Sequence, residues 1–358
     1  MLGACGGGGS SPGPQSTGNT TVPVNDTEKW ELIPAGQVGM DAALLAQASS
    51  DLPDQKIHGM DSMLVIRHGK PVVEQYWNGV NKDTLHDMRS ATKSVTSLMV
   101  GIAIDKKMVG GVTDLLSTYL DPAYPNAPAL KQGITLEHML TMRSGLACDD
   151  SVESSPGNET KMYMQTDWVK FYLDLPSLTA PNISTRYCTG NPVALGRVLT
   201  VASKRTIPDF ANAFLFAPLD IKSFVWADFD AHTQTDTGGH LRLRPRDMVK
   251  LGQLALQRGK WNDTQLVSSA WIDQSTSKRT TFEFPGLSKG YGYFWWRSNR
   301  FVNGKPYEMY YADGNGGQYI FVVPEYDIVA VFTGGNYDSD NATRPFGLMD
   351  KYILAAAH

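Results

Sequence analysis

The sequence predicts an α+β protein in which an antiparallel sheet is flanked by helices and carries an inserted, mainly helical lobe. A hairpin pattern near the start of the chain, residues 62–77, places two β-rich runs around a His-Gly-Lys turn. Three further strand candidates come late, at residues 291–296, 318–323 and 328–333. Because residues 161–260 between them are mostly helical in pattern, we expect both ends of the chain to share one sheet.

The helices are predicted from their start and stop signals. They are expected over residues 37–50, 90–108, 113–120, 136–142, 247–258 and 345–357. Thr135 can cap the fourth of these helices, and Gly145 can end it.

These elements imply a domain organisation. Residues 1–28 form a Gly/Ser/Pro tether outside the fold. Residues 29–115 and 265–358 form the α/β lobe with the sheet, and residues 116–264 form the helical lobe. The active site is expected between the two lobes.

Composition excludes several function classes. The 358 residues are 42% hydrophobic and 19% charged, which is enough for a sizeable core. The net charge of −4 and the lack of a basic stripe argue against a nucleic-acid partner. The sequence contains no run of 18 apolar residues, so no transmembrane segment is predicted. The histidines and cysteines show no metal-ligand spacing, so no metal or other cofactor is expected. The sequence gives no indication of the oligomeric state.

The motif with the clearest chemistry is Ser90-x-x-Lys93, followed by an apolar helix. Positions i and i+3 share a helix face, so Ser90 Oγ and Lys93 Nζ can meet locally. A serine hydroxyl becomes a nucleophile when a neighbouring base takes its proton, and this arrangement is found in serine acyl-transfer enzymes. The alternative is a helix cap with a solvated lysine. A second match, from Ser275 to Lys278, has no apolar helix behind it.

Three more blocks follow in order. Residues 134–146 read ITLEHMLTMRSGL, residues 187–191 read YCTGN with Leu195-Gly196 behind them, and residues 314–318 read GNGGQ before a strand candidate. With Ser90-x-x-Lys93, they make the chain resemble the class C β-lactamase and penicillin-binding-protein superfamily of serine hydrolases over most of residues 37–358. The Tyr-Cys-Thr-x-Asn block makes it most similar to the branch with family VIII carboxylesterases and 6-aminohexanoate-dimer hydrolases.

Two positions depart from the superfamily pattern. Thr189 stands where many β-lactamases have the Asn of Tyr-x-Asn. The Lys-Thr-Gly motif, or His-x-Gly in many esterases, aligns with Asn315-Gly316-Gly317, which supplies no cation for a substrate carboxylate. This absence weakens the case for penicillins and peptidoglycan stem peptides as substrates.

The resemblance implies an acyl-enzyme on Ser90. Lys93, kept neutral by burial and by positive neighbours, would take the Ser90 proton, and Tyr187 would relay it to the leaving group. Which of Lys93 and Tyr187 is the base is left open. For Tyr187 the alternative is a core tyrosine with a satisfied hydroxyl.

Further site residues follow from the same resemblance. The oxyanion hole would be the backbone N–H groups of Ser90 and Gln318. The expected substrate-binding residues are Asn191, Asn315, Gly316 and Gly317. Asn191 could instead cap the helix behind it, and the two glycines could instead form a bulge or turn.

Three functions remain in competition. The first is hydrolysis of small carboxylic esters, and the second is hydrolysis of short linear amides. The third is a β-lactamase or a penicillin-binding or D-Ala carboxypeptidase-type module. The expected partner in the first two is a small-molecule ester or amide.

The cysteines suggest where the protein resides. Residues 1–12 resemble the end of a bacterial lipoprotein signal and its linker, with Cys5 as the lipid-anchored residue. The alternative is an N-terminus with an incidental cysteine. We expect an exported bacterial protein, periplasmic or membrane-anchored. Cys148 and Cys188 would then form either a disulfide or two buried thiols.

Overall fold

A computed structural model of the chain describes residues 30–54, 59–226, 234–284 and 287–357. The predicted tether and its Cys5 anchor lie outside the described residues. No helix among those described is both long and apolar enough to cross a membrane.

The main structural element is an eight-stranded antiparallel sheet, in the order β2-β1-β13-β12-β11-β10-β9-β8. The strands of the described chain are β1 Met60–Arg67, β2 Lys70–Tyr76, β3 His86–Asp87, β4 Phe224–Trp226, β5 Leu241–Leu243, β6 Lys260–Trp261, β7 Thr264–Gln265, β8 Thr280–Phe284, β9 Leu287–Tyr291, β10 Trp296–Val302, β11 Lys305–Gly314, β12 Gln318–Val323 and β13 Ile328–Gly334. Strands β3, β5 and β4 form a small second sheet, and β6 and β7 pair with each other. The two chain ends therefore share one sheet, as predicted.

The helices of the described chain are α1 Ala42–Asp54, α2 Thr92–Asp105, α3 Leu116–Leu120, α4 Leu136–Leu140, α5 Glu159–Tyr163, α6 Trp168–Leu173, α7 Gly190–Ser203, α8 Ile207–Ala211, α9 Pro245–Leu256, α10 Ser269–Thr276 and α11 Arg344–Leu348. The closing helix predicted over 345–357 is α11 followed by a π-helical segment, Met349–Leu354. The predicted cap of α4 is present as a capping box between Thr135 and His138.

Helices cover both faces of the large sheet, which is why β12 and β13 are buried along their whole length. On one face α9 comes so close that a Cβ on Gly252 would stand 2.5 Å from Val329 Cγ1. On the opposite face, the Phe346 ring of α11 makes edge contacts with Tyr319 and Phe321. The predicted helical lobe of residues 116–264 includes α9. In the structure α9 packs on the large sheet instead.

Strand β11 was not predicted, although it carries the sheet to the site described below. Buried Tyr307 and Met309 alternate with exposed Pro306 and Glu308 in the first half of the strand, and the residues from Met309 to Ala312 are all buried. The strand predicted over 291–296 is divided, because Phe294 between β9 and β10 has φ +62°. A left-handed residue cannot continue a strand.

Helix α2 begins two residues later than predicted. Arg89–Ala91 form a 3₁₀ turn, with Arg89 at φ 50°, and the α-helix starts at Thr92. Ser90 therefore lies on a tight turn against a helix whose residues are buried from Thr92 to Ala103. The second half of this helix, from Leu98 to Ala103, is apolar on every side, which is typical of a core helix.

The helical lobe is organised around α7, which contacts α2, α3, α4, α6 and α8. Close approach depends on a small residue at its start, since a Cβ on Gly190 would stand 2.3 Å from the Tyr172 ring. The start of α7 is also tied to the loop after α4 by a disulfide between Cys148 and Cys188, whose Cα atoms are 5.4 Å apart. Of the two alternatives for these cysteines, the structure shows the disulfide.

The disulfide predicts a stability loss on removal. In a C148A/C188A double variant, the free energy of unfolding should fall by roughly 2–4 kcal/mol, because the bond closes a long loop in the unfolded chain. Denaturant titration measures this change. Thiol counting on unlipidated, denatured protein provides the control, and should find one reactive thiol without reductant and three with it. Three reactive thiols without reductant would contradict the bond.

Candidate active site

Ser90 and Lys93 meet at the start of α2. Lys93 Nζ donates a hydrogen bond of 2.9 Å to Ser90 Oγ and another of 2.8 Å to the carbonyl oxygen of Gly238. Lys93 is 1% exposed, whereas Ser90 remains partly accessible. The arrangement joins a reachable hydroxyl to a buried amine.

A single segment, residues 236–241, holds both groups in place. The Met88 N–H donates to the Leu241 carbonyl, and Thr96 Oγ1 donates to the Thr237 carbonyl. The Leu241 N–H in turn donates to Thr92 Oγ1 at 3.3 Å. The turn that carries Ser90, Arg89–Ala91, and the first turns of α2 are therefore both anchored to the backbone of residues 236–241.

Tyr187 completes the group. Its ring centre lies 4.9 Å from Lys93 Nζ, and its hydroxyl is near enough to Ser90 for the serine side chain to act on its pKa. The tyrosine is fixed by the adjacent disulfide and by its carbonyl, which accepts from the Asp150 N–H at 2.8 Å. Burial raises the pKa of Tyr187, while Lys93 and the Ser90 hydrogen bond act to lower it. The three residues named from sequence thus lie together.

The electrostatic surroundings of Lys93 differ from the prediction. Burial, the largest single influence, acts to lower its pKa. Tyr187 and the carboxylates of Glu159, Asp150 and Asp236 act to raise it, and the pKa ends above its usual value. The expectation of a lysine kept neutral by positive neighbours is therefore wrong, since the neighbours are carboxylates and the resting group is an ammonium.

These carboxylates are embedded in a network. Asp150 accepts from the backbone N–H of Thr189 at 2.6 Å and of Glu159 at 3.0 Å. Burial and the charge of Glu159 raise the pKa of Asp150 to about 7. Thr189 Oγ1 donates to Glu159 at 3.0 Å, so the residue that replaces the superfamily's Asn serves as a link to an acid. Sequence reasoning did not identify these acids, because they come from loops distant in sequence and follow no local spacing.

Asn191 does not occupy a substrate-facing position. It is fully buried, its Oδ1 accepts from the Tyr172 hydroxyl at 2.6 Å, and its Nδ2 lies 3.3 Å from Met142 Sδ. With both ends of its amide engaged in the core, Asn191 joins α6, α7 and the end of the α4 segment. The predicted substrate contact is corrected to a structural one.

The glycine block forms the turn between β11 and β12. Gly316 and Gly317 both have φ +98°, a conformation that favours glycine, and Asn315 is exposed and bonded to Asp338. Gln318 is fully buried, pairs with Gly314 across the ladder and bonds the Gly334 backbone with its side chain.

The strand residue next to the nucleophile turn is Gly314. A Cβ there would stand 2.2 Å from the carbonyl oxygen of Met88 and 3.2 Å from Cβ of Arg89. The end of β11 therefore contacts the Ser90 turn directly, while Gln318 lies one strand further into the sheet. The prediction of Gln318 as an oxyanion donor does not agree with this placement.

In the part of the chain that the structure describes, no group of three or more His, Cys, Asp or Glu side chains is arranged to hold a metal ion.

Comparison with known proteins agrees with this geometry. The family model for Beta-lactamase matches residues 42–347. A candidate 6-aminohexanoate-dimer hydrolase from Bacillus anthracis is 18% identical, with a TM-score of 0.71 over 86% of this chain and 81% of its own. A candidate beta-lactamase from Bacteroides dorei is also 18% identical, with a TM-score of 0.71 over 88% and 98%. A penicillin-binding protein homologue from Caulobacter crescentus is 14% identical, with a TM-score of 0.67 over 88% and 97%. These similarities confirm the predicted fold class.

The contact at Gly314 gives a prediction. Gly314→Ala should lower kcat at least tenfold and the free energy of unfolding by roughly 1–3 kcal/mol, because the new methyl group displaces the nucleophile turn. Gly335→Ala, at a site with nothing within 4 Å of the added Cβ, is the matched control. Steady-state kinetics and denaturant melts decide the matter. Unchanged kcat in Gly314→Ala would show that the turn does not depend on this contact.

Proposed function

Because this chain belongs to the Beta-lactamase family, a family of serine hydrolases, we propose that it hydrolyses small carboxylic esters through an acyl-enzyme on Ser90. The observation that carries the proposal is the contact set of Ser90, Lys93 and Tyr187 around one accessible hydroxyl. Once one proton has left the Lys93–Tyr187 pair, the Ser90 hydroxyl lies beside a group that can accept its proton and later give it back.

In the acylation step, Ser90 Oγ attacks the ester carbonyl while its proton passes to the Lys93–Tyr187 pair. Since Lys93 rests as an ammonium and acts to lower the pKa of Tyr187, we assign the base to Tyr187 and electrostatic support to Lys93. The tyrosine then gives the proton to the leaving alcohol. In deacylation the same pair takes a proton from water as the water oxygen attacks the acyl carbon, and it returns that proton to Ser90 Oγ as the acid is released.

The oxyanion hole is proposed to form between two backbone segments. The first N–H groups of a helical run lack intrahelical acceptors, and Ser90 lies at that point. The second donor is expected where β11 ends, at Gly314 and Asn315, because this backbone contacts the Ser90 turn. Removal of one such donor typically costs about 2.7–4 kcal/mol of transition-state stabilisation.

Amide hydrolysis is the second candidate. It is favoured by the position of Tyr187, because an amine leaving group requires a proton donor beside the nucleophile. The carboxylates around Lys93 count against substrates that carry a carboxylate, and thus against penicillins and stem peptides.

The disulfide also supports a proposal about location. Disulfides persist in oxidising compartments, so we propose that the protein works outside the cytoplasm, where a lipid anchor at Cys5 would hold it to a membrane.

The nucleophile can be tested against a serine in the same sequence motif. Ser90→Ala should abolish turnover of p-nitrophenyl butyrate and prevent labelling by a fluorophosphonate, while the fold is kept. Ser275, which is fully buried and bonded to the Ile272 carbonyl, gives the matched control variant Ser275→Ala. Intact-protein mass spectrometry with peptide mapping makes the comparison. Retained turnover in Ser90→Ala would refute the proposal.

The carboxylates around Lys93 predict a pH dependence. One proton must leave the Lys93–Tyr187 pair before it can accept the Ser90 proton, so kcat should rise with pH. Because Glu159 raises the pKa of Lys93, Glu159→Gln should move this rise to lower pH. The glutamine can still accept from Thr189, which preserves the local hydrogen bond. A pH profile of kcat from pH 6 to 10 tests the shift, and a movement to higher pH would contradict it.

A further inference from the structure

An aromatic cage near the site holds an ammonium group of the protein itself. Lys289 Nζ, from β9, lies 5.6 Å from the ring centre of Trp296, 5.7 Å from Phe346 and 5.8 Å from Phe284. Aromatic faces attract a cation within about 6 Å of the ring centre. Three aromatic rings around one ammonium form a pocket with the chemistry of an alkylammonium binding site.

The cage is one ring away from the catalytic group. Trp296 stacks on Tyr187, with ring centres 5.8 Å apart and 20° between the planes. Tyr187 in turn lies beside Lys93, with its ring centre 4.9 Å from the Nζ atom that hydrogen-bonds Ser90. A substrate whose ester carbonyl reaches Ser90 can therefore place a short chain beside Tyr187 and its end group in the cage.

A carboxylate accompanies the aromatic rings. Asp313, the penultimate residue of β11, is partly accessible and hydrogen-bonds the Tyr319 hydroxyl. Burial raises its pKa to about 6, while the positive charges of Lys289 and Lys93 act to lower it. Asp313 therefore interacts electrostatically with both Lys289 in the cage and Lys93 in the catalytic group.

The Lys289 ammonium, which now occupies the cage, can move out into solvent. Lys289 is only partly buried, and Phe284 on the rim is 43% exposed, so the cage opens to solvent on that side. A lysine side chain is long and flexible, and water solvates its ammonium strongly, so the ammonium can leave the rings for solvent.

We propose that this cage, formed by Phe284, Trp296 and Phe346, binds an alkylammonium group of the substrate, which displaces the Lys289 ammonium. The inference rests on the proposed esterase function and narrows it to esters that carry a cation. The opposite arrangement, in which Lys289 binds a substrate carboxylate, is opposed by Asp313 and by the carboxylates around Lys93.

The test uses two esters of equal shape that differ in charge. Butyrylcholine carries a trimethylammonium group, and 3,3-dimethylbutyl butyrate is its uncharged counterpart. Acid release in a pH-stat should give a kcat/KM at least tenfold higher for the cationic ester. Lys289→Met should raise this ratio further, because the competing ammonium is gone, and Asp313→Asn should bring it toward one. Lys305→Met, at the exposed far end of β11, is the matched control and should leave the ratio unchanged.

Other outcomes would overturn the inference. A ratio near one that neither variant moves would make the cage a purely structural feature. A preference for p-nitrophenyl hemisuccinate that Lys289→Met abolishes would make Lys289 an anion anchor. Lys289→Gln is the second variant if the methionine variant fails to fold.

A binding measurement separates this inference from the proposed function. Calorimetry with tetramethylammonium should show binding that tightens in Lys289→Met and weakens in Asp313→Asn. Binding of tetramethylammonium without turnover of any ester would support the cage as an ammonium site and refute the esterase proposal. Ester turnover without ammonium preference or ammonium binding would keep the esterase and remove the cage.

Discussion

The site depends on the burial of one ammonium group. Lys93 is 1% exposed, and a buried cation is tolerated only when hydrogen bonds and opposite charges replace the lost water. The structure supplies Ser90 Oγ, the Gly238 carbonyl and three carboxylates. These partners come from three parts of the chain, namely the Ser90 turn, residues 150–159 and residues 236–238, so the need to solvate this one group brings those segments together.

The same requirement explains the rigid parts around the site. The Gly238 carbonyl can reach Lys93 because residues 236–241 pair with the nucleophile turn through β3 and β5. Asp150 can reach it because the loop after α4 is fixed to α7 by the disulfide and by the Thr189 N–H. The end of β11 closes the remaining side through Gly314. Packing and electrostatics thus both maintain the arrangement of groups around Lys93.

The local features of the fold and site could be predicted from the sequence, and the non-local ones could not. The spacing of Ser90 and Lys93, the cap at Thr135 and the first hairpin each depend on residues close in the chain. The charge state of Lys93 depends on Asp150, Glu159 and Asp236, which no spacing rule connects to it. Asn191 was misassigned for the same reason, because its partners Tyr172 and Met142 lie on other segments. Strand β11 was overlooked because its alternation is short and gives way to a buried run from Met309 to Ala312.

One of the acids around Lys93 destabilises the folded protein. Asp236 is fully buried, and among the described residues its Oδ2 atom has no hydrogen-bond partner, with His240 Nε2 at 4.0 Å as its nearest charge partner. Burial raises the pKa of Asp236, which means that its ionised form is less stable here than in water. A core selected for stability alone would not retain such a group. Its charge acts on Lys93, and the Lys93 ammonium in turn acts to lower the pKa of Tyr187. The destabilising carboxylate therefore favours the charged form of Lys93, and the charged lysine favours the ionised form of the buried Tyr187.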